Sequence, residues 1–100
     1  MLNIETNKNG TTLDIALEGL LDTKTSPELE QVIQDNAADV TTINFDFAKL
    51  EYLTSAGLRA LLTARQEMDD KDGEMTLKNV SEDIMQIFTM TGFADILTII

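Results

Sequence analysis

Apolar and polar residues alternate in several short segments, and this alternation constrains the fold more than any other feature of the chain. The clearest case is Leu13, Ile15 and Leu17, which are separated by polar or small residues. The segments Ile43–Phe47 and Met75–Leu77 repeat the pattern. A period of two is typical of a strand with one buried face. Strands buried on both faces read instead as continuous apolar runs, so we expect a sheet that helices cover on one face only.

The first two strands are predicted to form a hairpin. An alternating segment, Leu2–Glu5, is followed by the pair Asn9-Gly10. Asn-Gly is the strongest short hairpin signal because both residue types readily adopt positive φ. Gly19 is expected to end the second strand, and Asp22–Ser26 is expected to be a loop.

Three stretches carry apolar residues at helical spacing. They contain Leu29, Val32, Ile33 and Ala37; Leu58, Leu61, Leu62 and Met68; and Ile84, Ile87 and Phe88. Either Thr25 or Ser26 is expected to cap the first helix, and Gly73 to end the second in a left-handed conformation. Ser81 is expected to cap the third helix and Gly92 to end it.

The resulting element order is β-β-α-β-α-β-α-β. Ala48–Leu53 is expected to be a short loop after the third strand, and Ile96–Ile100 to contain a last short strand. Right-handed crossovers between parallel strands would place the helices together on one face. We therefore expect an α/β fold in one domain over residues 1–100, with a small mixed sheet that combines an antiparallel N-terminal hairpin with parallel strands.

The composition excludes several classes of function. The chain has no Cys and no His, so the usual thiolate nucleophile, general base and zinc ligands are missing. Its net charge of −11 repels phosphate backbones and anionic lipids, so we expect no direct contact with nucleic acid or membrane. The acidity either maintains solubility alone or attracts a basic protein partner. We expect no enzyme activity, cofactor or metal, and the absence of a signal peptide or membrane span predicts a cytoplasmic protein.

Ser55 stands out because it lies where the second predicted helix begins, after a strand of the parallel part of the sheet. Sites in such sheets gather at the carboxyl ends of the strands. Ser is a preferred N-cap, so a capping role is one interpretation. The other is that Ser55 accepts a phosphate, which would meet open N–H groups and add about −1.5 to −2 charges to a docking surface. Small Ala56 and Gly57 would let a partner approach the backbone closely.

Asp22 and Asp46 are the acidic residues expected at strand ends. Asp22 follows the second strand, and Asp46 is expected to end the third. Both fit the common role of a loop or capping acid. A metal-binding phosphoryl-receiver pocket would require an adjacent acidic pair and a well-placed Lys, which the sequence does not offer here.

Three stretches, in order, resemble the STAS domain, which is the fold of bacterial anti-sigma-factor antagonists. Asp46–Arg59 resembles the central signature of that family, and Gly19–Asp22 resembles its Gly-x-Leu-Asp turn. Ser81–Phe93 resembles its final helix. The resemblance runs essentially from end to end. The family fold agrees with the element order derived from the periodicity.

The resemblance implies a binding function that phosphorylation switches off. In the family, an antagonist binds an anti-sigma factor that is also an ATP-dependent serine kinase, which frees the sigma factor. Phosphorylation of the signature Ser, Ser55 by position, blocks this binding, and a PP2C-type phosphatase reverses it. The residues assigned to partner binding are Asp22, Asp46, Thr54, Ala56 and Gly57. Two alternatives remain open: an unswitched STAS interaction subunit of a lipid-transport or signalling complex, or a small-ligand-binding module.

Overall fold

Five strands form one mixed sheet in the computed structural model, which describes residues 1–100 except the side chain of Ala37. The strands are β1 (Leu2–Asn9), β2 (Thr12–Leu21), β3 (Thr42–Leu53), β4 (Glu74–Lys78) and β5 (Thr98–Ile99). The helices are α1 (Ser26–Asn36), α2 (Ser55–Asp70) and α3 (Glu82–Thr91). Short 3₁₀ turns follow α1 and α3, at Ala37–Asp39 and Phe93–Asp95. The predicted element order is confirmed. The Ala37 side chain, assigned above to a helical stripe, lies outside the described residues.

The strands lie in the sheet in chain order. β1 and β2 are antiparallel, and the remaining neighbours are parallel. The hairpin is confirmed, although its turn lies one position later than predicted. Asn9 still pairs with Thr12, and Gly10 has the positive φ of 62°.

One face of the sheet forms the core with the three helices. The buried apolar residues of β2, β3 and β4 and those of the helices belong to one cluster. Phe45 and Phe47 lie at its centre with no exposed surface, and Phe47 also contacts the ring of Phe88 from α3. The predicted one-faced sheet is confirmed. Within the described part of the chain, no helix is long and apolar enough to span a membrane.

The opposite face of the sheet is polar. Asn44 in β3 donates a hydrogen bond to Asp14 in β2 at 3.1 Å and accepts one from the Thr76 hydroxyl in β4 at 2.7 Å. These side chains form a row across three parallel strands. The row is consistent with the alternation read from the sequence, which assigns polar residues to this face.

β2 does not end at Gly19, as the sequence predicts, but continues to Leu21. Gly19 has a φ of 106°, and a Cβ atom there would lie 2.3 Å from the carbonyl oxygen of Met1. The next N–H, that of Leu20, donates to the same carbonyl oxygen at 3.1 Å. Glycine is therefore needed at position 19 because a side chain would collide with the carbonyl group of Met1, and not because the strand ends there.

β3 also continues further than predicted, because Ala48–Leu53 is strand and not loop. The β2–β3 register shifts twice between Ala16 and Leu20, as at a β-bulge. The buried residues of β3 beyond this point, Leu50 and Leu53, are three positions apart instead of two. A bulge breaks the alternation by which a strand is recognised in a sequence, so the prediction for this segment was wrong.

The end of α2 differs from the prediction in one detail. The left-handed residue is Asp72, with a φ of 56°, and not Gly73. Gly73 is needed for another reason, since a Cβ atom there would lie 2.3 Å from the carbonyl oxygen of Thr41. The predicted ends of α3 are confirmed: the Ser81 hydroxyl accepts a hydrogen bond from the Ile84 N–H, and Gly92 is left-handed.

Candidate partner-binding site

Two loops meet at the carboxyl edge of the sheet. β2 and β3 are parallel neighbours, so the loop that begins at Asp22 and the start of α2 leave the sheet side by side. The Thr54 N–H donates a hydrogen bond to the carbonyl oxygen of Leu21 at 3.0 Å, which joins the two loops directly. The structure thus brings Asp22 and Thr54–Gly57 to one edge.

Ser55 is the first residue of α2, and its side chain is exposed. The N-cap is Thr54, which has extended backbone and whose carbonyl oxygen accepts from the Leu58 N–H at 3.0 Å. The interpretation of Ser55 as the cap is therefore wrong by one position. The first N–H groups of a helix have no partner within it, and they carry the positive end of the helix dipole. The Ser55 hydroxyl consequently lies in a setting that favours a negative group.

The two neighbouring hydroxyl groups differ in accessibility. The Thr54 hydroxyl oxygen is buried, and among the described residues it has no hydrogen-bond partner. Although Thr54 holds the N-cap position, its hydroxyl group makes no capping hydrogen bond to α2. An enzyme that approaches this edge of the protein therefore meets the hydroxyl of Ser55 and not that of Thr54.

Gly57 is buried against β2 and does not form part of the exposed surface. A Cβ atom there would lie 2.9 Å from both the Cγ atom and the carbonyl oxygen of Leu21. The prediction that a partner approaches Gly57 directly is thus wrong. Its role is to let the first turn of α2 pack closely on the end of β2. Ala56, beside it, is half-buried.

The Asp22 carboxylate organises the loop between β2 and α1. It accepts hydrogen bonds from the N–H groups of Lys24 at 2.9 Å and Thr25 at 3.0 Å. The bond from the Thr25 N–H is the main cause that lowers the pKa of Asp22 below its ordinary value. The charged form is therefore favoured, and this half-buried acid has a local structural role beside Ser55.

Thr25 holds the predicted N-cap position of α1, since its carbonyl oxygen accepts from the Leu29 N–H at 3.3 Å. The hydroxyl groups of Thr25 and Ser26, however, stabilise the preceding loop and do not bond to the N–H groups of the helix. Thr25 donates to the carbonyl oxygen of Leu20 at 2.8 Å, and Ser26 donates to that of Asp22 at 2.6 Å. The Thr25 hydroxyl also accepts from the Asp22 N–H at 2.8 Å. Both residues are buried, and their hydroxyl groups donate to carbonyl oxygens at the end of β2 and just after it.

Asp46 lies away from these loops. It is inside β3 on the polar face of the sheet, and not at a strand end as predicted. Its carboxylate accepts from the Asn79 side chain at 3.0 Å and from the Ala48 N–H at 2.9 Å. These two bonds, that of Asn79 first, lower the pKa of Asp46 below its ordinary value. Asn79 is left-handed, with a φ of 59°, so Asp46 stabilises a strained turn after β4.

Leu20 and Tyr52 are large apolar residues that the sequence prediction did not assign to the site. They are neighbours in the β2–β3 register, and their side chains are 40% and 52% exposed. The sequence carries a signal for them, because each directly precedes a buried leucine, Leu21 or Leu53. Two consecutive apolar residues in a strand point to opposite faces, so one of each pair must face solvent.

No group of three or more potential metal-ligating side chains lies together in the part of the chain that the structure describes. The Ser55 edge combines an exposed hydroxyl at a helix start, an ordered acidic loop and two exposed apolar side chains.

Comparisons with known proteins agree with this fold. A family model described as the STAS domain matches residues 3–100. A curated relative from Staphylococcus aureus (strain NCTC 8325 / PS 47), named anti-sigma-B factor antagonist, is 31% identical over 97 residues, which cover 96% of this chain and 90% of the relative.

Two solved structures are similar in fold. SpoIIAA, described as a Bacillus cell fate determinant in the phosphorylated form, has a TM-score of 0.78 at 23% identity, with 98% of this chain and 91% of that chain covered. An anti-sigma factor antagonist from Mycobacterium paratuberculosis has a TM-score of 0.86 at 20% identity, with 99% and 85% covered. The family model spans nearly the whole chain and the Staphylococcus relative covers most of it, so this chain belongs to the STAS domain family.

Proposed function

We propose that this chain is an anti-sigma-factor antagonist whose binding to an anti-sigma factor is switched off by phosphorylation of Ser55. The observation that carries the proposal is the exposed Ser55 hydroxyl at the first residue of α2, next to a buried Thr54 hydroxyl. Support also comes from the name of the Staphylococcus aureus relative and from the phosphorylated form of the similar Bacillus structure.

The switch is electrostatic in this proposal. A phosphate on Ser55 would lie near the open N–H groups of the first turn of α2, which favour an anion, so the fold would persist. A partner surface that fits a neutral hydroxyl would then face about −1.5 to −2 charges. Like charges or desolvation at such a contact oppose binding, and the antagonist would release its partner.

The chain has no catalytic role in this scheme. The partner is an anti-sigma factor with ATP-dependent serine kinase activity. The Ser55 oxygen attacks the γ-phosphorus of ATP, the bond to ADP breaks, and the hydroxyl proton passes to a base of the kinase. A PP2C-type phosphatase hydrolyses the phosphoserine. A regulator of sigma factors acts where transcription occurs, so the proposal places the chain in the cytoplasm.

The first experiment incubates the purified chain with the anti-sigma factor of the same organism and Mg-ATP, and measures intact mass. The wild-type chain is expected to gain one phosphoryl group, and Ser55→Ala none. Thr54→Val is the matched control, since it removes only the neighbouring hydroxyl at nearly constant volume, and it should still be phosphorylated. Phosphate on Thr54, or phosphorylation of Ser55→Ala at the wild-type rate, would contradict the proposal.

A second experiment separates a switch from a structural role of Ser55. Ser55→Asp should weaken binding to the anti-sigma factor about tenfold or more, measured by calorimetry, because it adds charge to the contact. Its circular dichroism and urea midpoint should match the wild type, since acids are tolerated at helix starts. Unchanged affinity would instead favour an unswitched STAS interaction subunit.

A further inference from the structure

Two large apolar side chains are exposed side by side at the edge of the sheet that carries Ser55. We propose that Leu20 and Tyr52 form an apolar docking pair, which the anti-sigma factor covers with an apolar pocket rimmed by basic side chains. The inference rests on the proposed function. It states that Leu20 and Tyr52 contribute binding free energy, whereas the Ser55 hydroxyl is the group that phosphorylation modifies.

The β2–β3 register explains why these two side chains are adjacent. Gly19 pairs with Leu50, whereas Leu20 pairs with Tyr52, so β3 contains one extra residue between these pairs. Such a bulge re-aims the side chains that follow it. Because Leu21 and Leu53 are buried at 0% and 1% exposure, Leu20 and Tyr52 point to the opposite, uncovered face.

The docking pair is continuous with the Ser55 edge. Tyr52 precedes Ser55 by three residues of mostly extended chain, a span of about 10 Å. Leu20 precedes the Asp22 loop, and the Thr54 N–H to Leu21 hydrogen bond holds the two strand ends together. One partner surface of ordinary size, about 800 Å² per protein, would therefore cover the pair and Ser55 at once.

Charge and residue type define the occupant. Glu51 directly precedes Tyr52, and Asp22 lies two residues after Leu20. The chain also carries a net charge of −11, so a second copy of this chain would be repelled. A partner with basic side chains around an apolar pocket is attracted instead. Tyr is enriched among the residues that dominate binding energy, because its ring buries a large area with few rotatable bonds.

The test measures the Kd of three glutamine variants, all unphosphorylated, for the anti-sigma factor. Leu20→Gln and Tyr52→Gln should each raise the Kd about tenfold or more, whereas Tyr52→Leu, which keeps an apolar side chain, should remain close to wild type. Met90→Gln is the matched control, since Met90 is 85% exposed on α3 and should bind as the wild type. Circular dichroism and urea midpoints confirm that each variant is folded.

Kinase assays distinguish this inference from the proposed function. Tyr52→Gln should raise the KM for the chain as substrate and leave kcat unchanged, because Ser55 itself is intact. If Ser55 is phosphorylated but Leu20→Gln and Tyr52→Gln both bind with the wild-type Kd, the docking pair is refuted and the switch stands. If Leu20→Gln and Tyr52→Gln both lose affinity but Ser55 takes no phosphate, the docking pair stands and the switch is refuted.

Discussion

Replacing Gly57 with alanine tests whether the start of α2 is held against β2 as closely as the structure shows. In an unconstrained helix, alanine would stabilise the protein by about 1 kcal/mol relative to glycine. Here the added Cβ would lie 2.9 Å from both the Cγ atom and the carbonyl oxygen of Leu21, and one of these is backbone. Overpacking of this kind costs about 1–3 kcal/mol. The two effects oppose each other, and we expect a net loss of about 1 kcal/mol from their difference.

The sign of the change is the decisive quantity, and urea unfolding measures it. A loss of about 1 kcal/mol corresponds to a fall in Tm of about 4–8 °C for a domain of this size. Gly57→Val should lose about 3 kcal/mol, because it adds two methyl groups beyond the Cβ atom at the same contact and recovers less helix propensity. If Gly57→Ala is more stable than the wild type, the close contact with Leu21 does not exist and the reasoning fails.

A double-mutant cycle identifies the side chain responsible. Leu21 is fully buried, so Leu21→Ala alone should cost about 2–5 kcal/mol. In that background the penalty of Gly57→Ala should shrink, because the Cγ and Cδ2 atoms that it meets are gone while the carbonyl oxygen remains. Equal penalties in both backgrounds would locate the strain elsewhere.

Three further outcomes are expected. The pKa of Asp22 is depressed in the folded state, so the ionised carboxylate stabilises the loop fully above pH 3.8, its ordinary pKa. This stabilisation is lost as the pH falls through the lower pKa of the folded state, and a carboxyl NMR titration with a midpoint at or above 3.8 would contradict this. Ser81→Ala removes the hydroxyl that accepts from the Ile84 N–H, and should lower the free energy of unfolding by about 1 kcal/mol in urea titrations. Gly73→Ala should lower the Tm more than Gly10→Ala does in calorimetry, because its Cβ would meet the Thr41 carbonyl oxygen at 2.3 Å, whereas Gly10 has open space and only the strain of its positive φ.

The periodicity of the sequence predicts the element order and the one-sided sheet because each depends on residues close together in the chain. Leu13, Ile15 and Leu17 define a buried strand face without reference to anything else. The helix start at Thr54 and Ser55 is predicted in the same way, within one residue. Its place beside the Asp22 loop follows from the parallel pairing of β2 and β3.

Features that depend on distant atoms could not be predicted in this way. Gly73 is required by the Thr41 carbonyl oxygen, and Gly57 by Leu21, and no local pattern shows either contact. The bulge between β2 and β3 moves Asp46 from a predicted strand end into the middle of β3. A second register shift, between Gly19 and Leu20, places Leu20 and Tyr52 side by side, which is why the exposed pair escapes a strict period of two.

The hydrogen bond between Thr54 and Leu21 has a consequence for the thermodynamics of recognition. It fastens both contact loops to the central parallel strands, so neither loop can loosen without disturbing the middle of the sheet. A visiting protein then meets a surface that is already in its bound shape and loses little conformational entropy on association. Amide exchange at Thr54 should accordingly be as slow as global unfolding. The binding free energy should contain little of the entropic cost that ordering a flexible loop adds at many regulatory surfaces.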